Sequence, residues 1–73
     1  MATQIVMDHS GDSRHHFDTS DLKALAEAER RFKVLTGHGF TAAVRQANGG
    51  VSLLRSFDPG VEETLFFPRL VGG

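Results

Sequence analysis

A single helical stripe runs through this chain of 73 residues. Between Asp21 and Thr36, Leu22, Leu25, Ala28 or Glu29, Phe32 and Leu35 recur at spacings of three and four. That spacing lays them on one face of a helix. Asp21, Lys23, Glu27, Arg30, Arg31 and Lys33 fall on the other faces, with acid early and base late, as the helix dipole favours. Asp18, Thr19 and Ser20 offer helix caps, and Gly37 with Gly39 ends the pattern. A lone amphipathic helix cannot bury its own stripe. It needs the face of a sheet, and the rest of the chain must supply one.

Strand signals flank the helix on both sides. Thr3 to Asp8 is rich in strand formers, with Ile5 and Met7 on one face and Val6 on the other. The turn cluster His9-Ser10-Gly11-Asp12-Ser13 follows, and Arg14 to Phe17 returns as a second strand. The cluster reads as a loop longer than a two-residue turn. After the helix, Phe40 to Arg45 predicts a third strand and Asn48-Gly49-Gly50 a tight turn. Val51 to Phe57 predicts a fourth strand, with Val51, Leu53 and Phe57 on one face. Asp58-Pro59-Gly60 breaks it, and Leu65-Phe66-Phe67 forms a short fifth strand ended by Pro68. The expected class is α+β, in the order β-β-α-β-β-β. A mixed sheet wrapped across one helix is the β-grasp architecture; a plain antiparallel sheet is the competing arrangement. The expected division is a domain over residues 1–67 and a flexible tail over 68–73.

Composition narrows the chemistry. A chain this short builds one modest core. It has no cysteine, so it has neither disulfides nor a thiol nucleophile. The apolar fraction is 40% and the charged fraction 23%, which suits a globular domain rather than a disordered tail. The net charge is −1 with no basic run, which speaks against nucleic acid as a partner. No leader-like segment, membrane-length apolar run or glycine at position 2 is present, so the expected location is the cytoplasm, away from membranes.

Other motifs have plain readings. His15 and His16 are strand neighbours that point to opposite faces, so they cannot easily share a metal ion. His9 and His38 have no evident partners. Phe17, Phe32, Phe40, Phe57 and Phe67 read as core; Phe66 or Leu54 reads as the outward member of its strand and a docking contact. Asp58, Glu62 and Glu63 read as a solvated turn rather than a catalytic acid pair. Asn48-Gly49-Gly50 lacks the lysine and the following helix of a phosphate loop.

The last residues are the chemical handle. Gly72 and Gly73 have no side chains and can thread a narrow channel. The Gly73 carboxylate could be activated by ATP like any other acyl group. Pro68 is expected to stop strand pairing and release the tail. Six extended residues from Pro68 to Gly73 would reach roughly 20 Å. A loosely ordered terminus that happens to end in glycine is the alternative.

Element order, length and the Gly72-Gly73 end together resemble the ubiquitin-like β-grasp superfamily. Arg69-Leu70-Val71-Gly72-Gly73 is similar to the ubiquitin tail, except that Val71 stands where ubiquitin has an arginine. Glu63 to Gly73, with its Phe66-Phe67-Pro68 run, resembles the sulfur carriers such as the small subunit of molybdopterin synthase. Those tails often have a second proline where this chain has Arg69.

The resemblance implies a substrate and carrier, not an enzyme. Gly73 would be adenylated by a partner activating enzyme using ATP, with no cofactor held by this chain. Gly72 would keep the approach narrow. Arg69, Leu70, Val71, Phe66 and Pro68 would contact partners. Val71 implies an apolar contact in the cognate enzyme. Conjugating enzyme, target protein and metal-dependent deconjugating protease are the further partners implied. Two lysines only, Lys23 and Lys33, point to single attachment rather than chains. Ending at Gly73 implies that no processing is needed. The alternative activity is sulfur transfer through a C-terminal thiocarboxylate, for molybdopterin or thiamin synthesis. A third reading is a small structural or interaction protein with an incidental Gly-Gly.

Overall fold

The computed structural model describes residues 1–69. Leu70, Val71, Gly72 and Gly73 lie outside the described residues, and so do the expectations placed on them. The elements are β1 (Ala2–Asp8), β2 (Gly11–Phe17), α1 (Leu22–Gly37), β3 (Phe40–Arg45), β4 (Val51–Leu53) and β5 (Glu63–Pro68). The strands form one sheet in the order β2-β1-β5-β3-β4. β1 and β5 run parallel; every other neighbouring pair is antiparallel. The fold is therefore α+β, with one helix on a mixed five-stranded sheet, an arrangement compatible with a β-grasp. Among the described residues no helix is long and apolar enough to cross a membrane.

The first hairpin is tighter than its sequence implies. Asp8 pairs with Gly11, which leaves a two-residue turn of His9 and Ser10. The Asp8 carboxylate accepts the Ser10 N–H at 2.8 Å and the Ser10 hydroxyl at 2.5 Å. Gly11, at φ +127°, then adopts an angle that side-chain-bearing residues rarely take. Asp12 and Ser13, which read as turn formers, are consequently paired residues of β2.

Asp21 caps α1, its side chain accepting the N–H groups of Lys23 at 3.0 Å and Ala24 at 3.3 Å. Such a cap contributes about 1 kcal/mol. The first turn holds no acid and the last turn no base, so the expected charge gradient reduces to this one carboxylate. Leu22 leaves the stripe: it is 82% exposed. The packed face is instead Ala24, Leu25, Ala28, Phe32 and Leu35.

The core lies between this face and the sheet. Phe32 meets Val6, Ala42 and Phe66; Ala28 meets Ala2 and Phe17. Phe57 touches both groups. Its ring centroid lies 6.3 Å from Phe17 and 6.2 Å from Phe32, while Phe32 lies 5.7 Å from Phe66 in an edge-on contact. That position explains why β4 ends at Leu53 rather than continuing to Phe57. A regular strand would put Phe57 on the face of Val51 and Leu53. The chain leaves the ladder after Leu54, whose N–H still reaches the Ala42 carbonyl at 2.8 Å. Leu54 and Phe57 then both cover the helix side. Val51 and Leu53 remain on the opposite face, 55% and 67% exposed.

β1 and β5 are buried on both faces. Val6 and Phe66 face the helix, while Ile5 and Leu65 are paired and buried on the other side. β5 also reverses one expectation. Phe66 is fully buried and Phe67 only half-buried, so Phe66 is the core residue. A run of three apolar residues carries no phase of its own. Pairing sets it here: Phe66 stands beside Ala42, whose small side chain leaves room for the ring beneath Phe32.

One buried polar contact ties the helix to the sheet. Gln4, 1% exposed, donates its amide to the Ala28 carbonyl at 3.0 Å and accepts from the Arg31 guanidinium at 2.8 Å. Gln4→Leu strands the guanidinium and should cost about 1–3 kcal/mol. Urea denaturation measures it. Adding Arg31→Met should recover part of the loss, because removing both partners leaves nothing unsatisfied. A double variant no more stable than the single one would show that the pair itself contributes little.

His15 pairs with Gln4 on the neighbouring strand. Burial, then the nearby Arg31 charge, holds its pKa below the ordinary 6.5. The folded state thus favours neutral imidazole. This contribution to stability is full above the unfolded pKa and is lost as pH falls through the folded one. The melting temperature should drop as pH falls below the ordinary imidazole value of about 6.5, and His15→Gln should give a shallower slope. Asp8 and Asp18 are held below the carboxylate range mainly by the Ser10 and Ser20 hydroxyls. Their contributions fade only in stronger acid, as pH falls through their lowered values.

Candidate functional site: the root of the C-terminal segment

The sequence points to the residues after Phe67, and the fold gives that segment a defined origin. β5 is the central strand of the sheet, held by β1 on one side and β3 on the other. It runs parallel to β1, so it ends beside the His9–Ser10 turn and beside Gly39.

Pro68 does not stop pairing as expected. It belongs to β5 and pairs with Phe40. The Arg69 N–H then donates to the Gly39 carbonyl at 3.0 Å. A bond in that position flanks the Phe40–Pro68 pair, which makes it an antiparallel pair needing no donor from Pro68. The missing N–H faces the β1 side, where pairing reaches only as far as Val6 and Phe66. Proline therefore ends the segment's attachment on one flank and leaves the other intact. Four residues follow Arg69, the last described residue, and even fully extended they reach at most about 14 Å beyond it, against the roughly 20 Å of six.

Gly39 is the residue the sequence reading passed over. It reads as a helix stop, and His38 forms the helix C-cap just before it. Its φ of +92° turns the chain from α1 into β3. That turn presents its carbonyl to Arg69. No local pattern signals the contact, because the two residues meet only through the β3–β5 register.

Of the named contact residues, Arg69 and Pro68 are exposed at this root. Phe66 is not: it lies wholly in the core, because its parity on β5 turns it toward α1, and it cannot serve as a docking contact while the fold is intact. Leu54, the other outward candidate, also packs on the helix side. Leu70, Val71, Gly72 and Gly73 lie outside the described residues.

A surface depression of about 690 Å³ is lined by Val44 to Ala47 and Gly60 to Glu63. It sits where β5 begins, at the far end from Arg69. Among the described residues no cluster of three or more histidines and carboxylates could hold a metal ion. No family model, curated protein or solved structure matches this chain.

Proposed function

We propose that this chain is a ubiquitin-like protein modifier. One observation carries the reading: the last strand is the central strand, parallel to β1, and it delivers a segment ending in Gly72-Gly73 from the middle of a mixed sheet packed on one helix. A central strand is the best-anchored place in a small sheet from which to extend a reactive tail. The body can then dock outside a partner while the tail enters its active site.

In the proposed reaction, a carboxylate oxygen of Gly73 attacks the α-phosphorus of ATP. The bond to the bridging oxygen breaks and pyrophosphate leaves. A partner cysteine thiolate displaces AMP to form a thioester. An amine of the target then displaces the thiolate, giving an amide. The activating enzyme supplies ATP and the catalytic groups. This chain supplies the carboxylate, the narrow Gly72-Gly73 approach and the contacts of Arg69, Leu70 and Val71.

Mass spectrometry of the protein from its native cells tests this, both intact and after digestion. An amide from Gly73 to a lysine of another protein is the expected result. Oxygen replaced by sulfur at the Gly73 carboxyl would instead establish the sulfur carrier that the Phe66-Phe67-Pro68 run resembles. Free acid alone, with ATP and a native extract supplied, would leave the interaction-protein reading.

A further inference from the structure

We infer that the Gly39 carbonyl is a positioning group for the tail: its bond to the Arg69 N–H fixes where the diglycine segment starts, and it stays closed while Gly73 reacts. This rests on the modifier reading above and adds the part of the body that aims the tail.

The geometry has three parts. Pro68 is paired with Phe40, so the strand is still in register at its last residue. Arg69 adds one further bond, 3.0 Å long, to Gly39. Gly39 lies between the helix C-cap and β3, both anchored elements, so its carbonyl is not free to follow the tail. With the bond closed, four residues at most, no more than about 14 Å of fully extended chain, separate Gly73 from Arg69. With it open and Pro68 unpaired, six residues swing from Phe67 over roughly 20 Å. The closed state confines Gly73 to a much smaller volume. Confinement of a reacting group raises the fraction of encounters that are productive.

The bond can be removed from either end. Arg69→Pro deletes the donor; Arg69→Ala keeps it, and both lose the guanidinium. The difference between these two variants therefore reports the N–H. Gly39→Ala leaves the tail sequence untouched. An added Cβ there meets nothing within 4 Å, so the substitution acts through the backbone angle alone. It should turn the carbonyl away from Arg69.

Two measurements test the proposal. Amide hydrogen exchange of the unmodified protein should show the Arg69 N–H protected by about tenfold over an unstructured peptide, as one hydrogen bond allows. Gly39→Ala should abolish that protection while the Phe66 amide stays protected. The second measurement is ATP-dependent activation of Gly73 by an extract of the native cells. Arg69→Pro should be activated about tenfold less well than Arg69→Ala. The difference should fall in kcat with KM equal between the two Arg69 variants, since both lack the same guanidinium, and Gly39→Ala should shift kcat in the same direction. Equal activation of the two Arg69 variants would overturn the proposal. If the unsubstituted chain is not activated at all, the modifier reading fails. The bond is then judged by exchange alone, and an Arg69 amide exchanging at the unstructured rate sinks it.

Discussion

Phe66→Ala should destabilise the protein by about 3–5 kcal/mol. Phe66 is fully buried. Its ring meets Phe32 edge-on at 5.7 Å, and its strand is paired on both sides. Neither the central strand nor the helix can shift to fill the space, so a cavity remains. Small domains have about 5–15 kcal/mol of stability in total, with the smallest at the lower end. The variant should therefore be largely unfolded or nearly so at 37 °C. Phe67→Ala should cost clearly less, because Phe67 is half-buried on the opposite face. Urea denaturation of the two variants separates a core residue from a docking residue. A Phe66→Ala protein as stable as the parent would mean that the phase of β5 is the reverse of the one described.

Gly73→Ala should lower ATP-dependent activation by about a hundredfold, the cost of displacing a reacting group by about an ångström. The methyl widens the one point where the chain has to pass alongside the nucleotide. Arg69, whose N–H bonds the Gly39 carbonyl, lies four positions earlier, and the core lies between α1 and the sheet, so melting temperature and urea midpoint should not change. Activation is read as pyrophosphate release in a native-cell extract. The two predictions form a contrast: Phe66→Ala loses stability, and any activity with it, whereas Gly73→Ala loses activity at full stability. If Gly73→Ala is activated as well as the parent, the diglycine is incidental and the modifier proposal falls.

Much of the candidate site was legible as residues but not as geometry. Arg69, Gly72 and Gly73 stand out in the sequence because a run of two glycines behind a short apolar stretch is a local pattern. Phe66 or Leu54 reads as an outward residue because Leu65-Phe66-Phe67 is apolar throughout and shows no alternation. Pro68 reads as a strand breaker, which holds only on its β1 side. Gly39 shows no local signal beyond a helix stop, because its bond to Arg69 joins residues distant in sequence.

The division between sequence and structure follows the range of the forces involved. The sequence by itself determined where the helix lies, the Asn48-Gly49-Gly50 turn and the order of elements, while the cap it offered at Asp18 to Ser20 fell to Asp21. Each of these depends on backbone preferences and hydrogen bonds within a few residues. Only the tertiary structure decided which phenylalanine of β5 enters the core, why β4 stops at Leu53 and why Gln4 is buried. It also decided that Arg69 is tied to Gly39. All four depend on register between strands distant in sequence and on what the helix needs to cover. A one-residue slip would exchange the faces of a strand without changing any local signal.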